Sequence, residues 1–284
     1  MLITSKDIPD LYRLIHDPQL GGIDKIKNRD VSLSVVLFLA VTHRTLWLKG
    51  NSAASASIAR LGLPGLSRAI NCLMEATPTP CQQPFGAPTL DLYRITAKKD
   101  LQRTEWQSFC DRFRRSADAG RTGEMYYTVA SAFGEMGDNV VSHAFEADHK
   151  PCPAIAGFHV TNGTACFCVV DVGQGFLKSL HRKQEWSGLR NDYEALDAVV
   201  TKRATSRPGE KEGGGFKDLF KSLIEFNGKV VLRSGTSTFY MNNKGTNGDR
   251  HAVQRAFVPG SAVTAVISKT GQPEELSLQE AENC

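Results

Sequence analysis

Three groups of residues have types and spacing suited to chemistry. In GEMGDNVVSHAF, Glu135, Asn139 and His143 recur every fourth residue, so a helix would align them along one flank. Taken alone, this row reads as a solvated helix face. In VVDVGQGF, an apolar β-branched run ends in Asp171 and is followed by Gly173 and Gly175. A carboxylate ending a buried strand is costly unless a partner satisfies it, and alternating glycines let backbone approach something flat and close. By itself this is also the pattern of a capped turn. In GEKEGGGFKDLF, Gly213, Gly214 and Gly215 run straight into a helical pattern. Free backbone N–H groups and the positive end of a helix dipole are there offered to a phosphate. Neither GxxxxGK[ST] nor GxGxxG is present, and in isolation the triple glycine reads as a flexible linker.

These groups need elements to position them. TEWQSFCDRFRRSAD has apolar residues at 106, 109, 110 and 113, a helix with Thr104 as its N-cap. MYYTVASAFGEMGDNVVSHAF places Tyr126, Val129, Ala130, Phe133, Met136, Gly137, Val140 and Ala144 on a buried stripe. The row of Glu135 starts opposite that stripe and turns back toward its flank. AIAGFHV and TACFCVVDV read as strands joined by the two-residue turn Asn162-Gly163. Next come KDLFKSLIEF as a helix and VVLRSG, STFYM and SAVTAVIS as three strands. Helices and antiparallel hairpins in this order predict an α+β domain, one sheet with helices on one face.

Upstream, residues 76–88 hold four prolines and read as a connector. Residues 1–88 then form a first region, read as a regulatory or partner-binding unit. There, SLSVVLFLAV is a strand or short buried helix, GNSAASAS a flexible or capping segment, and SASIARLGLPGLSRAINCLMEA helical, broken at Gly62 to Gly65. Residues 89–104 extend the connector, 105–269 form the main domain, and 270–284 an acidic, loose tail.

Composition narrows the partners. With 34 basic and 30 acidic residues, a net charge of +4 does not by itself drive nucleic-acid binding. The longest apolar run, 35–41, is far shorter than a membrane span, and no export signal opens the chain, so the expected address is the cytoplasm. Seven cysteines without a CxxC pair are read as reduced thiols.

The order of motifs resembles the GHKL ATPases, the superfamily of gyrase, heat-shock chaperone ATPases, histidine kinases and mismatch-repair ATPases. Glu135, Asn139 and His143 resemble its N box, Asp171, Gly173 and Gly175 its first glycine box, and Gly213 and Gly215 its second. Residues 105–269 carry the likeness, which is closest to the anti-sigma-factor-like serine kinase branch. PGSAVTAVI resembles the last strand, with Ser261 in place of the usual threonine.

The resemblance implies a two-layer α/β sandwich of the histidine kinase-like ATPase type behind a smaller α/β N-terminal region. It implies ATP and Mg²⁺ as ligands: Asp171 would accept from the adenine amino group, Ser261 would place a hydroxyl near the base, and Asn139 would bind the metal. Glu135 would orient or deprotonate the nucleophile. His143 would either pack or meet phosphate, while Arg207, Lys211 and Lys217 would clamp phosphates beside the glycine loop. Residues 176–212 would be a mobile ATP lid. The expected activity is ATP hydrolysis or phosphotransfer to a Ser/Thr of a protein partner. The alternative is a slow nucleotide-sensing adaptor whose lid controls a protein interface, and dimerisation is left open.

Overall fold

The structure is a computed structural model that describes residues 7–16, 26, 31–74, 89–118, 124–139, 144, 152–161, 164–206, 216, 219–220, 228–242 and 250–268. A five-stranded antiparallel sheet, ordered β1-β2-β3-β5-β4, organises it. Its strands are β1 (Thr89–Ile95), β2 (Ala154–Val160), β3 (Thr164–Asp171), β4 (Gly228–Asn242) and β5 (Arg250–Ser268). The chain is therefore α+β, as its pattern implied.

Pleating sends alternate residues to two separate cores. Phe158, Phe167, Val169, Leu232 and Val263 face one side, where they pack against four helices: α6 (Thr104–Asp118), α7 (Glu124–Asn139), α8 (Gly175–Leu180) and α9 (Asp192–Thr201). Phe109, Phe113, Phe133, Phe158 and Phe167 form one aromatic cluster, with centroids 4.8–5.7 Å apart. That layer is compatible with an α/β sandwich. Arg103 takes the capping position of α6, its carbonyl accepting from Trp106 N–H at 3.1 Å, so Thr104 is the first helical residue instead of the cap.

The other side of the sheet was expected to be free and is covered. Ile155, Cys166, Cys168, Val170 and Ala262 pack against α1 (Ile8–His16), α2 (Leu33–Leu48) and α4 (Leu66–Met74), with α3 (Ser52–Ala59) beside them. Among its described residues the N-terminal region is helical, where an α/β unit was expected. The cause lies in α2, whose residues 33–43 are all buried, between the sheet on one side and α3 and α4 on the other. A helix apolar all round is one covered all round, and its sequence is hard to tell from a buried strand. Asn51 caps α3 through Ala54 N–H at 3.3 Å, the capping option for that segment.

Two further expectations change. Residues 89–104 are no connector: β1 pairs with β2, and α5 (Lys98–Leu101) follows it. A central Asp91 disguises the strand; it is 1% exposed and paired to Arg112 of α6 at 2.5 Å. Burial still raises its carboxyl above the ordinary range. VVLRSG and STFYM form one strand, β4, bent at a bulge around Gly235 that Asp192 of α9 grips, accepting from Thr236 N–H at 2.9 Å. Among the described residues, no helix is long and apolar enough to cross a membrane, and none of the five described cysteines is in a disulfide.

His159 gives the helical layer a pH signature. It is fully buried on β2 opposite Cys166, and neither ring nitrogen has a hydrogen-bond partner among the described residues. Burial pushes its pKa down to about 4. A proton therefore binds the unfolded chain more readily, so stability is complete above the ordinary histidine value of about 6.5 and is lost as pH falls toward the folded value. His159→Leu is expected to remove up to about 3 kcal/mol of that acid loss. Urea unfolding across the same pH range checks it; an unchanged slope contradicts a buried neutral imidazole.

Candidate functional site

Asp171 ends β3 opposite Ser261 on β5, and the two are bonded directly. Ser261 Oγ–H donates to Asp171 Oδ2, Ser261 N–H to Oδ1 at 3.3 Å, and Gly173 N–H to Oδ1 at 2.8 Å. The carboxylate is 1% exposed. Burial raises its pKa, while these donors, with the more distant charge of Arg233, pull it back down. This is the satisfied strand-end acid that the sequence demanded.

Above the pair lies a slot walled by Met136, Val169, Val263, Phe176 and Phe216, with Asn139 and Ser261 as its polar groups. Asn139 is half-buried on the last turn of α7 and Ser261 comes from the last strand, so remote parts of the chain converge here. The free volume is about 20 Å³, room for about one water. Phe216 closes it edge-on against Phe176, with centroids 5.9 Å apart. A purine would enter only if these rings swing aside.

The glycines serve the protein's own backbone. A Cβ on Gly173 would run into the backbone of Ala144, whose carbonyl accepts from Gln174 N–H at 3.1 Å. The flat object approaching this glycine is the chain beyond α7. Gly175 lines the slot and starts α8, where Phe176 N–H donates to Ser234 Oγ at 2.8 Å. Gly260 is at φ +79°, and a Cβ there would meet the Asp171 carbonyl and Val172 Cα. Gly260→Ala is expected to cost more than about 2 kcal/mol. A clear drop in the urea midpoint would be the sign; an unchanged midpoint would mean that the β3–β5 junction is looser than described.

Of the expected site residues, Asn139, Gly175 and Ser261 share the slot, and Asp171 and Gly173 join it through Ser261 and the turn. Glu135 sits one turn back on α7, half-buried and outside the slot lining. His143, Arg207, Lys211, Gly213, Gly214, Gly215 and Lys217 lie outside the described residues. Of the lid expected at 176–212, residues 207–212 lie outside the described residues, and the earlier part holds α8, a 3-10 turn at Gln184–Trp186 and α9. Leu180, Leu196 and Val199 are buried in the main core, and Asn191 caps α9 through Glu194 N–H at 2.9 Å. Lys178, Arg182, Glu185, Arg190 and Asp197 of this segment are exposed, whereas Asp192 turns in to β4. Two site-supporting residues escaped the sequence reading, Ser234 and Arg233; the signal was an Arg-Ser pair interrupting the apolar run VVL.

No protein-family model matches the chain, and no curated protein matches it significantly.

Proposed function

We propose that the chain is an Mg-ATP-binding signalling protein of the GHKL type that hydrolyses ATP or transfers its γ-phosphate to a Ser/Thr of a protein partner. The observation that carries the reading is the buried Asp171–Ser261 pair, whose serine lines an apolar slot bearing Asn139. A carboxylate held by donors on one side has lone pairs left for an amino edge, and apolar walls suit a flat heterocycle. The donor set fits adenine in kind, although the slot must widen to admit it.

Asn139 fits Mg²⁺ through its amide oxygen, a hard ligand, and the metal would supply charge neutralisation at the phosphates. Glu135, one helical turn away, orients or deprotonates the attacking hydroxyl or water. His143, Arg207, Lys211, Gly213, Gly214, Gly215 and Lys217 complete the proposal as phosphate contacts. A second reading, a nucleotide-sensing adaptor without turnover, is favoured by one feature: Glu135 does not line the slot.

Incubation with γ-labelled ATP, Mg²⁺ and a lysate of the host separates the two. Labelled phosphate released or moved onto protein is the expected result. Saturable ATP binding with no label moved would favour the adaptor, and no binding at all would remove both readings.

A further inference from the structure

Besides His43, five buried side chains among the described residues are carboxylic acids, an imidazole or a guanidinium: Asp91, Asp100, Asp171, His159 and Arg233. Asp91 has Arg112 against it, Asp100 lies near Arg103, and His159 is held neutral by burial. Asp171 and Arg233 remain, opposite charges without a direct ion pair. Arg233 is 2% exposed on β4; its Nη1 donates to the Val258 carbonyl at 3.2 Å, while Nε and Nη2 have no partner among the described residues. A guanidinium so little satisfied must be compensated from further away.

The strand register supplies the compensation. Asp171 and Ser234 flank Ser261 of β5 on either side, and Val170 and Arg233 flank Ala262. Asp171 and Arg233 are thus diagonal across one strand, with backbones about 10 Å apart from the spacing of strands. They project to opposite faces: Ser234 bonds toward α8, and Arg233, one residue earlier, points to the helical N-terminal layer with Ala262. The thin sheet between them excludes water, so the charges are little screened.

We propose that Arg233 is a positioning residue of the nucleotide site: from behind the sheet, its guanidinium is the countercharge that keeps Asp171 an ionised acceptor for an amino-bearing purine edge. The last clause rests on the ATP reading; the charge coupling does not. Burial raises the Asp171 carboxyl and lowers Arg233 to about 10, and each charge opposes the other's shift. The remaining groups acting on the pair are the Cys168 thiol near Arg233, the Cys152 thiol near Asp171, and the donors from Ser261 and Gly173. The hydrogen bonds from Ser261 and Gly173 favour the carboxylate more strongly, and Arg233 adds the opposite charge that acts beside them.

A double-mutant cycle without nucleotide tests the coupling, using Arg233→Met, which keeps the aliphatic volume, with Asp171→Asn. Each single variant is expected to lose stability in urea and the double variant to regain most of it; additive losses overturn the proposal. A single variant too unstable to purify beside a folded double variant is the same result in extreme form. Carbon-13 NMR of aspartate carboxyls, with the Asp171 signal assigned by its loss in Asp171→Asn, should show that signal titrating at higher pH in Arg233→Met and as in wild type in Arg233→Lys. An unmoved titration also overturns it. For nucleotide, Arg233→Met should weaken Mg-ATP binding at about pH 6 and recover it at about pH 9, whereas a loss uniform with pH would make Arg233 merely structural. A non-additive cycle in a protein that binds no ATP would sink the nucleotide reading and uphold the countercharge.

Discussion

Asp171→Asn is expected to weaken ATP binding about tenfold to a hundredfold at neutral pH, because a bond to an ionised acceptor is worth about 1.5–3 kcal/mol. Asparagine keeps one oxygen for Gly173 N–H and Ser261 N–H, the contacts at 2.8 and 3.3 Å. Its amide nitrogen, however, replaces the oxygen that Ser261 Oγ–H now reaches. The hydroxyl must then turn round, and toward the slot a donor faces an amino group where an acceptor stood. Titration calorimetry on the variant, with thermal unfolding to verify that it remains folded, reads the loss. Wild-type affinity would place the base elsewhere.

The second large effect belongs to Glu135. Glu135→Ala should leave ATP affinity within about threefold of wild type and lower turnover about 10²–10⁴-fold, the usual contribution of a positioned acid or base. The asymmetry follows from geometry. Asn139 lines the slot while Glu135, four residues earlier on α7, does not. Removing a side chain that does not line the slot should spare affinity, and the loss of turnover is what the proposed base role requires. Single-turnover hydrolysis monitored alongside calorimetry gives both numbers. Phosphate moving at the wild-type rate would remove Glu135 from the chemistry, and lost affinity would make it a binding residue.

Residues with a strong local pattern announced their structure, and residues whose partners lie far along the chain did not. β2 and β3 were legible because two apolar runs and an Asn-Gly turn between them agree, and the observed pairing of Val160 with Ala165 fits that hairpin. α6 was legible from Trp106, Phe109 and Phe113, which all reach the core. β1 was hidden by Asp91, whose partner Arg112 lies on another element. α2 was ambiguous because its apolar residues have no period, the third layer that buries it being invisible locally. The segment 176–212 was expected to be a lid from the family resemblance alone, yet within it Asp192 grips Thr236 and ties α9 to β4.

The site divides in the same way. Asp171 and Ser261 stood out as an acid ending a strand and a hydroxyl on the last strand, and the register joins them. Gly173 was rightly marked as a place of close approach, but the approaching group is the Ala144 backbone. Arg233 and Ser234 draw their meaning from β5 and α8, which no spacing along the chain reveals.

The central claim is that adenine lies in the slot between α7, α8 and β5. Titrating Mg-ATP into nitrogen-15-labelled protein and following backbone amides tests it most directly. Saturable shifts gathered on Asn139, Gly173, Gly175 and Ser261, with GTP leaving them unmoved, are the predicted result. Undisturbed amides at those four positions, or shifts gathered on the far face around α2 and α4, would contradict it.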